Sequence, residues 1–174
     1  MNWNVKPLQP PDSHHLRAAQ GWLELGNHRE AAVELEKMAK RCRNHPDVLE
    51  VQWSISAAAR DWNACVDTAD RQVKLAPRSP VGWIHRSFAL HALKRTKEAA
   101  ELLLPAAKAF PRDWLVRYNL ACYACQMGNH AEAWDWLQNA FELGDERQIR
   151  LMALDDVDLK DLRSRIKPID GKKG

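Results

Sequence analysis

The sequence predicts an all-α solenoid of four 34-residue helix-turn-helix units, closed by a C-terminal capping helix. Three observations lead there. The stretch "LGNHREAAVEL" from Leu25 to Leu35 returns as "MGNHAEAWDWL" from Met127 to Leu137, with seven of eleven positions identical or close. The 102 residues separating the two divide into three steps of 34, through Arg60 and Lys94, with no insertion. Small and apolar residues keep the same step, in the columns Ala31, Cys65, Ala99, Ala133; Leu35, Ala69, Leu103, Leu137; and Ala19, Trp53, Ser87, Ala121. A repeat of this length is one supersecondary unit that cannot bury its apolar face alone, so neighbours must stack.

An extended N-terminal segment, 1–11, precedes the array, which divides into units 12–45, 46–79, 80–113 and 114–147. The pattern predicts first helices over 13–25, 47–59, 81–93 and 114–127, and second helices over 28–42, 62–75, 96–109 and 130–143. Asn27, Asp61 and Asn129 precede second helices in one column, where a short acceptor side chain satisfies an orphan amide. Glu30 and Glu132 follow the two asparagines by three residues, an Asn-centred variant of the capping box. Arg95 breaks the column, and Thr96 is the cap expected there instead. Asp12, Asp113 and Ser79-Pro80 mark starts of first helices, Pro77 and Pro111 mark stops, and Pro105 should kink its helix. Ala19, Ala31, Ala121 and Ala133 allow close approach of paired helices. Trp22, Leu35, Leu90, Leu103 and Leu137 are expected to fill the space between layers, with Trp53, Trp62, Trp83 and Trp134 also in the core. Capping helices over 148–167 and a flexible basic tail, 168–174, end the chain.

The period, the Gly-Asn-His-x-Glu-Ala turn and the later proline resemble the tetratricopeptide repeat of bacterial type. The unit "YNLACYACQMGNHAEAWDWLQNAFELG", Tyr118 to Gly144, matches best, with Leu120, Ala121, Gly128, Ala133, Leu137 and Ala140 on the family pattern. Arg60 and Lys94 stand where glycine is usual, and Arg43 and Asp145 where proline is usual. "IRLMALDDVDLKDLRSRI" is similar to the closing segment of many bacterial members. The resemblance implies a right-handed superhelix whose first helices line a concave groove for a partner peptide or helix. On this chain the lining would be Leu16, Gln20, Glu50, Val51, Ser54, Ile84, His85, Phe88, His91, Leu115, Tyr118, Asn119, Cys122 and Gln126. Ile84, Phe88, Tyr118 and Cys122 make the second half apolar, as interaction sites are. The competing expectation is that the N-terminal segment, with Trp3 and Leu8, covers the groove, or that two copies pair there. The Lys, Arg and Asn columns with which some members clamp the carboxylates of heat-shock chaperones are absent.

Composition bounds the rest. At 45% hydrophobic and 28% charged, the chain reads as soluble and globular. It has no run of about 18 apolar residues, and its start lacks a signal-peptide pattern. Cys42, Cys65, Cys122 and Cys125 are expected as free thiols, consistent with a cytoplasmic location. Cys122 and Cys125 form a lone helical C-x-x-C, read as packing rather than as a metal or redox site, and no cofactor is expected. No catalytic motif frames the Ser, His and Asp residues, so an enzyme is not expected.

Charge is uneven: residues 71–117 carry 10 Lys/Arg against 3 Asp/Glu. Lys94, Arg95 and Lys97 cluster at one turn, and Arg163, Arg165 and Lys167 lie near the end. These are candidates for contact with an anionic membrane or an acidic protein surface. Without interleaved aromatics they argue against nucleic acid. Trp114 and Trp136 are candidates for a convex contact. The functional expectation is a non-catalytic scaffold, monomer or weak homodimer, binding a peptide, helix or filament. Alternatives are a kinesin-light-chain-like adaptor on a bacterial cytoskeletal, tubulin-like filament, and a secretion chaperone of the tandem-repeat class.

Overall fold

A computed structural model describes residues 6–166, and every described element is helical. The order is α1 (Asp12–Glu24), α2 (His28–Glu36), a 3₁₀ turn (Lys40–Cys42), α3 (Pro46–Ala58), α4 (Trp62–Leu75), α5 (Val81–Ala92), α6 (Thr96–Ala109), α7 (Trp114–Gln126), α8 (His130–Leu143), α9 (Glu146–Asp155) and a 3₁₀ helix (Val157–Leu162). The chain divides into two compact units, Met1–Ala89 and Leu90–Gly174, the division falling inside α5. In the first, α1 packs on α2 and α3 on α4, with α2 and α1 both against α3. In the second, α7 packs on α6, on α8 and on the 3₁₀ helix, while α9 packs on α8.

The 34-residue step is written into the backbone of four turns. Gly26 and Gly128 take φ of 75° and 80°, and Arg60 and Lys94, in the same column, take 57° and 64°. Each left-handed residue ends a first helix by the same pair of bonds. The amides of Gly26, Arg60, Lys94 and Gly128 reach Leu23, Ala57, His91 and Cys125 carbonyls at 2.8–3.0 Å. The next amides, of Asn27, Asp61, Arg95 and Asn129, reach Trp22, Ser56, Leu90 and Ala124 carbonyls at 2.8–2.9 Å. This is the Schellman closure, and it satisfies carbonyls that the helix end orphans. Glycine adopts the conformation freely; arginine and lysine do so at about 1–2 kcal/mol each, a cost the surrounding packing must carry.

That closure overturns the capping-box expectation. The Asn27 and Asn129 amides are already held by the preceding helix, so Glu30 and Glu132 have no free donor to reach. Glu132 accepts instead from Trp136 Nε1 at 3.3 Å. The side chains of Asn27 and Asp61 do cap, accepting from Glu30 and Ala64 amides at 3.2 and 3.1 Å, whereas Asn129 makes no cap bond. Thr96 does not cap α6: it is that helix's first residue, and its hydroxyl pairs with His91 Nδ1 at 2.9 Å. Asp113 caps α7 through the Val116 amide at 3.0 Å. Asp12 does not cap α1 but lies buried, accepting from the Ala39 amide at 2.7 Å and the Cys42 thiol at 3.3 Å. The Ala39 amide, more than the opposing burial, holds its carboxyl below the ordinary carboxylate value. The Asp12 anchor turns the chain after Glu36, so α2 ends six residues before the predicted boundary. α6 runs continuously through Pro105, and α9 begins at Glu146, two residues before the expected capping segment.

Ala19, Ala31, Cys65, Ala69, Ala99, Leu103, Ala121, Ala133 and Leu137 are all fully buried, as their columns predict. Leu35, expected in the same role, is only half-buried, and the tryptophans depart from the expectation as a group. Trp22 is 36% exposed, and Trp53, Trp62, Trp83 and Trp134 are half-buried. Two alanine-faced helices stand too close to seat an indole between them, so the rings lie at the margins of the packing. One close approach was invisible to the periodicity. A Cβ on Gly82 of α5 would stand 2.8 Å from the Val73 amide nitrogen and 2.9 Å from Gln72 Cβ on α4. Gly82→Ala should therefore lower stability by about 1–3 kcal/mol in urea unfolding, although alanine favours helix by about 1 kcal/mol. A stabilised variant would show that α4 and α5 have room to separate.

Candidate functional site

The predicted groove residues fall into two faces of different character. In the first unit, α3 and α5 present an aromatic platform. The His85 ring stacks on Trp53 with centroids 3.9 Å apart and planes 9° from parallel. Phe88 stands edge-on to Trp53 at 6.2 Å and to Trp62 at 5.8 Å, and remains 45% exposed. His85 Nδ1–H donates to Gln72 Oε1 at 2.9 Å. Burial pushes the imidazole down from its ordinary value of 6.5 to about 4, so it is a neutral part of the platform. Ile84 and Ser54 are half-buried beside it, and the Ser54 hydroxyl donates to the Glu50 carbonyl at 3.0 Å. Leu16 and Val51 do not line a surface. They are buried in a core cluster with Ala19, Ala31, Met38, Val48 and Ile55, on which Leu8 also packs. Gln20 and Glu50 are exposed.

In the second unit the face is already filled. The 3₁₀ helix Val157–Leu162 lies against α7, with Leu159 and Leu162 buried. Tyr118 Oη donates to Asp156 Oδ2 at 2.8 Å, and Cys122 Sγ points to the same oxygen at 3.7 Å. His91 Nε2 lies 3.0 Å from Asp158 Oδ2, and Gln126 Nε2 donates to the Asp158 carbonyl at 2.9 Å. Tyr118 and Cys122 are 4% exposed. Burial above all pushes both acids well up, followed by Cys122 for the tyrosine and Asp156 for the cysteine, so they stay protonated and donate. The expectation that Tyr118 and Cys122 lie open in a groove is corrected. The cover over Tyr118 and Cys122 is the chain's own C-terminal segment; Trp3, invoked for a cover by the N-terminal segment, lies outside the described residues. Leu115 and Asn119 are half-buried.

The remaining candidates are dispersed. Arg95 is held by Glu98 through two bonds of 2.8 and 2.7 Å, and Lys97 lies 3.9 Å from Glu101, while Lys94 is exposed. Arg163 donates to the Asp156 carbonyl at 3.4 Å, and Arg165 lies over the Trp134 ring at 4.3 Å. Lys167 and the basic tail lie outside the described residues. Trp114 packs edge-on to Tyr118 at 6.3 Å, and Trp136 is half-buried. The C-x-x-C thiols do not share a site: Cys122 faces Asp156, whereas Cys125 lies beside Asp161, its thiol pushed up chiefly by burial.

No protein-family model and no curated protein matches the chain. Solved structures do. TTC0263, a thermophilic TPR protein of Thermus thermophilus, superposes with a TM-score of 0.71 at 20% identity, covering 89% of this chain and 82% of that one. MamA, residues 41 to end, from Desulfovibrio magneticus RS-1 superposes with a TM-score of 0.69 at 21% identity, covering 92% and 93%. MamA of MSR-1 gives 0.65 at 20% identity over 85% and 82%. The fold is that of the tetratricopeptide repeat.

Within that fold, sequence reasoning missed three features. The acidic residues Asp156 and Asp158 contact the α7 face; the signal was "DDVD" directly after an amphipathic capping helix. Arg117, read as one more basic residue, is 8% exposed and holds the end of α6. Its one legible sign was a charge in the buried register of α7. The grouping of Cys125 with His130 and Asp161 had no sign at all, because it depends on where the 3₁₀ helix lands.

Proposed function

We propose that the protein is a non-catalytic interaction scaffold that holds a partner protein's peptide or helix on the aromatic platform of α3 and α5. The observation that carries this is Phe88, which is 45% exposed at the edge of a rigid Trp53–His85 stack. A large apolar ring held open by packed aromatic neighbours has little conformational entropy left to lose on binding, which favours it as an anchor. The tetratricopeptide-repeat fold supports the reading as a class, since its stacked helix pairs expose long surfaces. Ile84, Ser54 and His85 border the anchor. The Tyr118 face supports it differently: a short acidic segment ending in buried leucines already satisfies that surface, so a free partner would engage the platform first. The basic-surface alternative has less support, because Arg95 and Arg165 are engaged locally and Lys97 lies near a carboxylate.

The test is affinity capture from the native host with wild type and Phe88→Asp, followed by titration with each recovered partner. Replacing an anchor ring by a charge should weaken binding by about 2 kcal/mol or more, roughly thirtyfold, while far-ultraviolet circular dichroism is unchanged. Equal recovery by both proteins would remove the platform from consideration. Partner loss on raising salt, with Phe88→Asp neutral, would favour the basic surfaces instead.

A further inference from the structure

Three potential ligands converge where the last repeat meets the C-terminal segment. Cys125 is on the final turn of α7, His130 is the first residue of α8, and Asp161 belongs to the 3₁₀ helix. One donor atom from each lies within 4.8 Å of the other two, and His130 Nε2 is 3.6 Å from Asp161 Oδ2. A tetrahedral zinc site with ordinary Zn–S and Zn–N lengths has ligand–ligand edges of about 3.3–3.6 Å. The His–Asp edge already has that length, and the sulfur edges need a closure of at most about 1.2 Å, within reach of two exposed side chains.

We infer that Cys125, His130 and Asp161 form a three-ligand site for zinc or a similar borderline-soft divalent metal, clamping the C-terminal 3₁₀ helix to the turn between α7 and α8. The donor set selects the metal: sulfur with imidazole favours zinc or cobalt over magnesium and calcium, which take oxygen shells. The sulfur lies at the buried end and the imidazole and carboxylate at the solvent end, so the ion enters from outside. On binding, the Cys125 S–H bond breaks, an S–metal bond forms and the proton passes to solvent. The imidazole contributes its Nε2 lone pair and the carboxylate one oxygen; no electrons are transferred. Water takes the fourth position. Because Asp161 follows Asp156 and Asp158 on the same segment, the ion fastens the cover over Tyr118 and Cys122.

The test is titration of the reduced full-length protein with cobalt(II), followed by displacement with zinc. One equivalent should bind with tetrahedral d–d absorption and a thiolate-to-cobalt charge-transfer band. About one proton should be released per ion, and zinc should raise Tm. Cys125→Ser should abolish the charge-transfer band. Asp161→Asn and His130→Ala, both at exposed positions and so without cost to the core, should each weaken binding about tenfold or more. Cys122→Ser, three residues away on the same helix, should bind as wild type does. The inference is overturned if no ion binds, if binding survives Asp161→Asn and His130→Ala unchanged, or if Cys122→Ser removes the band.

Discussion

Arg117→Met should destabilise the second unit by about 3–5 kcal/mol, the largest effect expected of any single substitution here. The Arg117 guanidinium donates to the Ala107 carbonyl at 2.7 Å, to the Asp113 carbonyl at 3.0 Å and to the Phe110 carbonyl. Ala107 and Phe110 lie at the C-terminal end of α6, where carbonyls lack intrahelical partners and the helix dipole favours a cation. One side chain on α7 thus terminates α6 and joins the two helices. Methionine fills similar volume but leaves those carbonyls without a charged donor. Burial lowers the arginine's own pKa, with Asp113 opposing; the group remains charged at neutral pH, so the bonds are charge-assisted. Urea unfolding should show a lower midpoint with unchanged slope. Arg117→Lys should recover only part of the loss, since an ammonium cannot span three carbonyls in one plane. A methionine variant within about 1 kcal/mol of wild type would falsify this account.

Acidification should destabilise the first unit by up to about 3 kcal/mol through His85 alone. Its pKa is depressed from 6.5 to about 4 by burial against Trp53. Between those values the unfolded chain binds a proton that the folded chain refuses, so stability falls as pH drops. The contribution is complete above about pH 6.5 and is lost progressively toward pH 4. Glu34, held below its ordinary value of 4.5 chiefly by Lys37, begins to lose its contribution at the acid end of that window, a loss common to wild type and a non-titrating variant. His85→Phe keeps a ring for stacking but cannot titrate. Subtracting its stability-against-pH curve from the wild-type curve should leave a slope confined to about pH 4–6.5. A flat difference would mean that the ring reaches water.

Much of the fold was legible because a repeat states its pattern four times. The alanine columns at 19, 31, 121 and 133 and the leucines at 103 and 137 occupy the core that spacing alone assigns. Arg60 and Lys94 looked like defects in the pattern, yet their backbone takes the left-handed conformation of Gly26 and Gly128. The capping box failed for a local reason: both residues of the motif were present, but the Schellman closure had already claimed the amide. The tryptophans failed for a packing reason, since periodicity gives the direction of a side chain and not the separation of the surfaces it enters.

The candidate site was legible only in part. Ile84, His85 and Phe88 lie on the α5 face where the register puts them. The chain by itself determines the helices, their 34-residue step and the turns between them, because those rest on bonds within about six residues; the end of α2 is the exception, set by Asp12 from 27 residues away. Tertiary structure alone decides that the C-terminal segment covers Tyr118 and Cys122, that Arg117 closes α6, and that Cys125, His130 and Asp161 meet. Each of these depends on where a distant segment comes to rest. Residues 34 apart repeat their neighbours, but the 3₁₀ helix contacts α7 once, and a contact made once leaves no period to read.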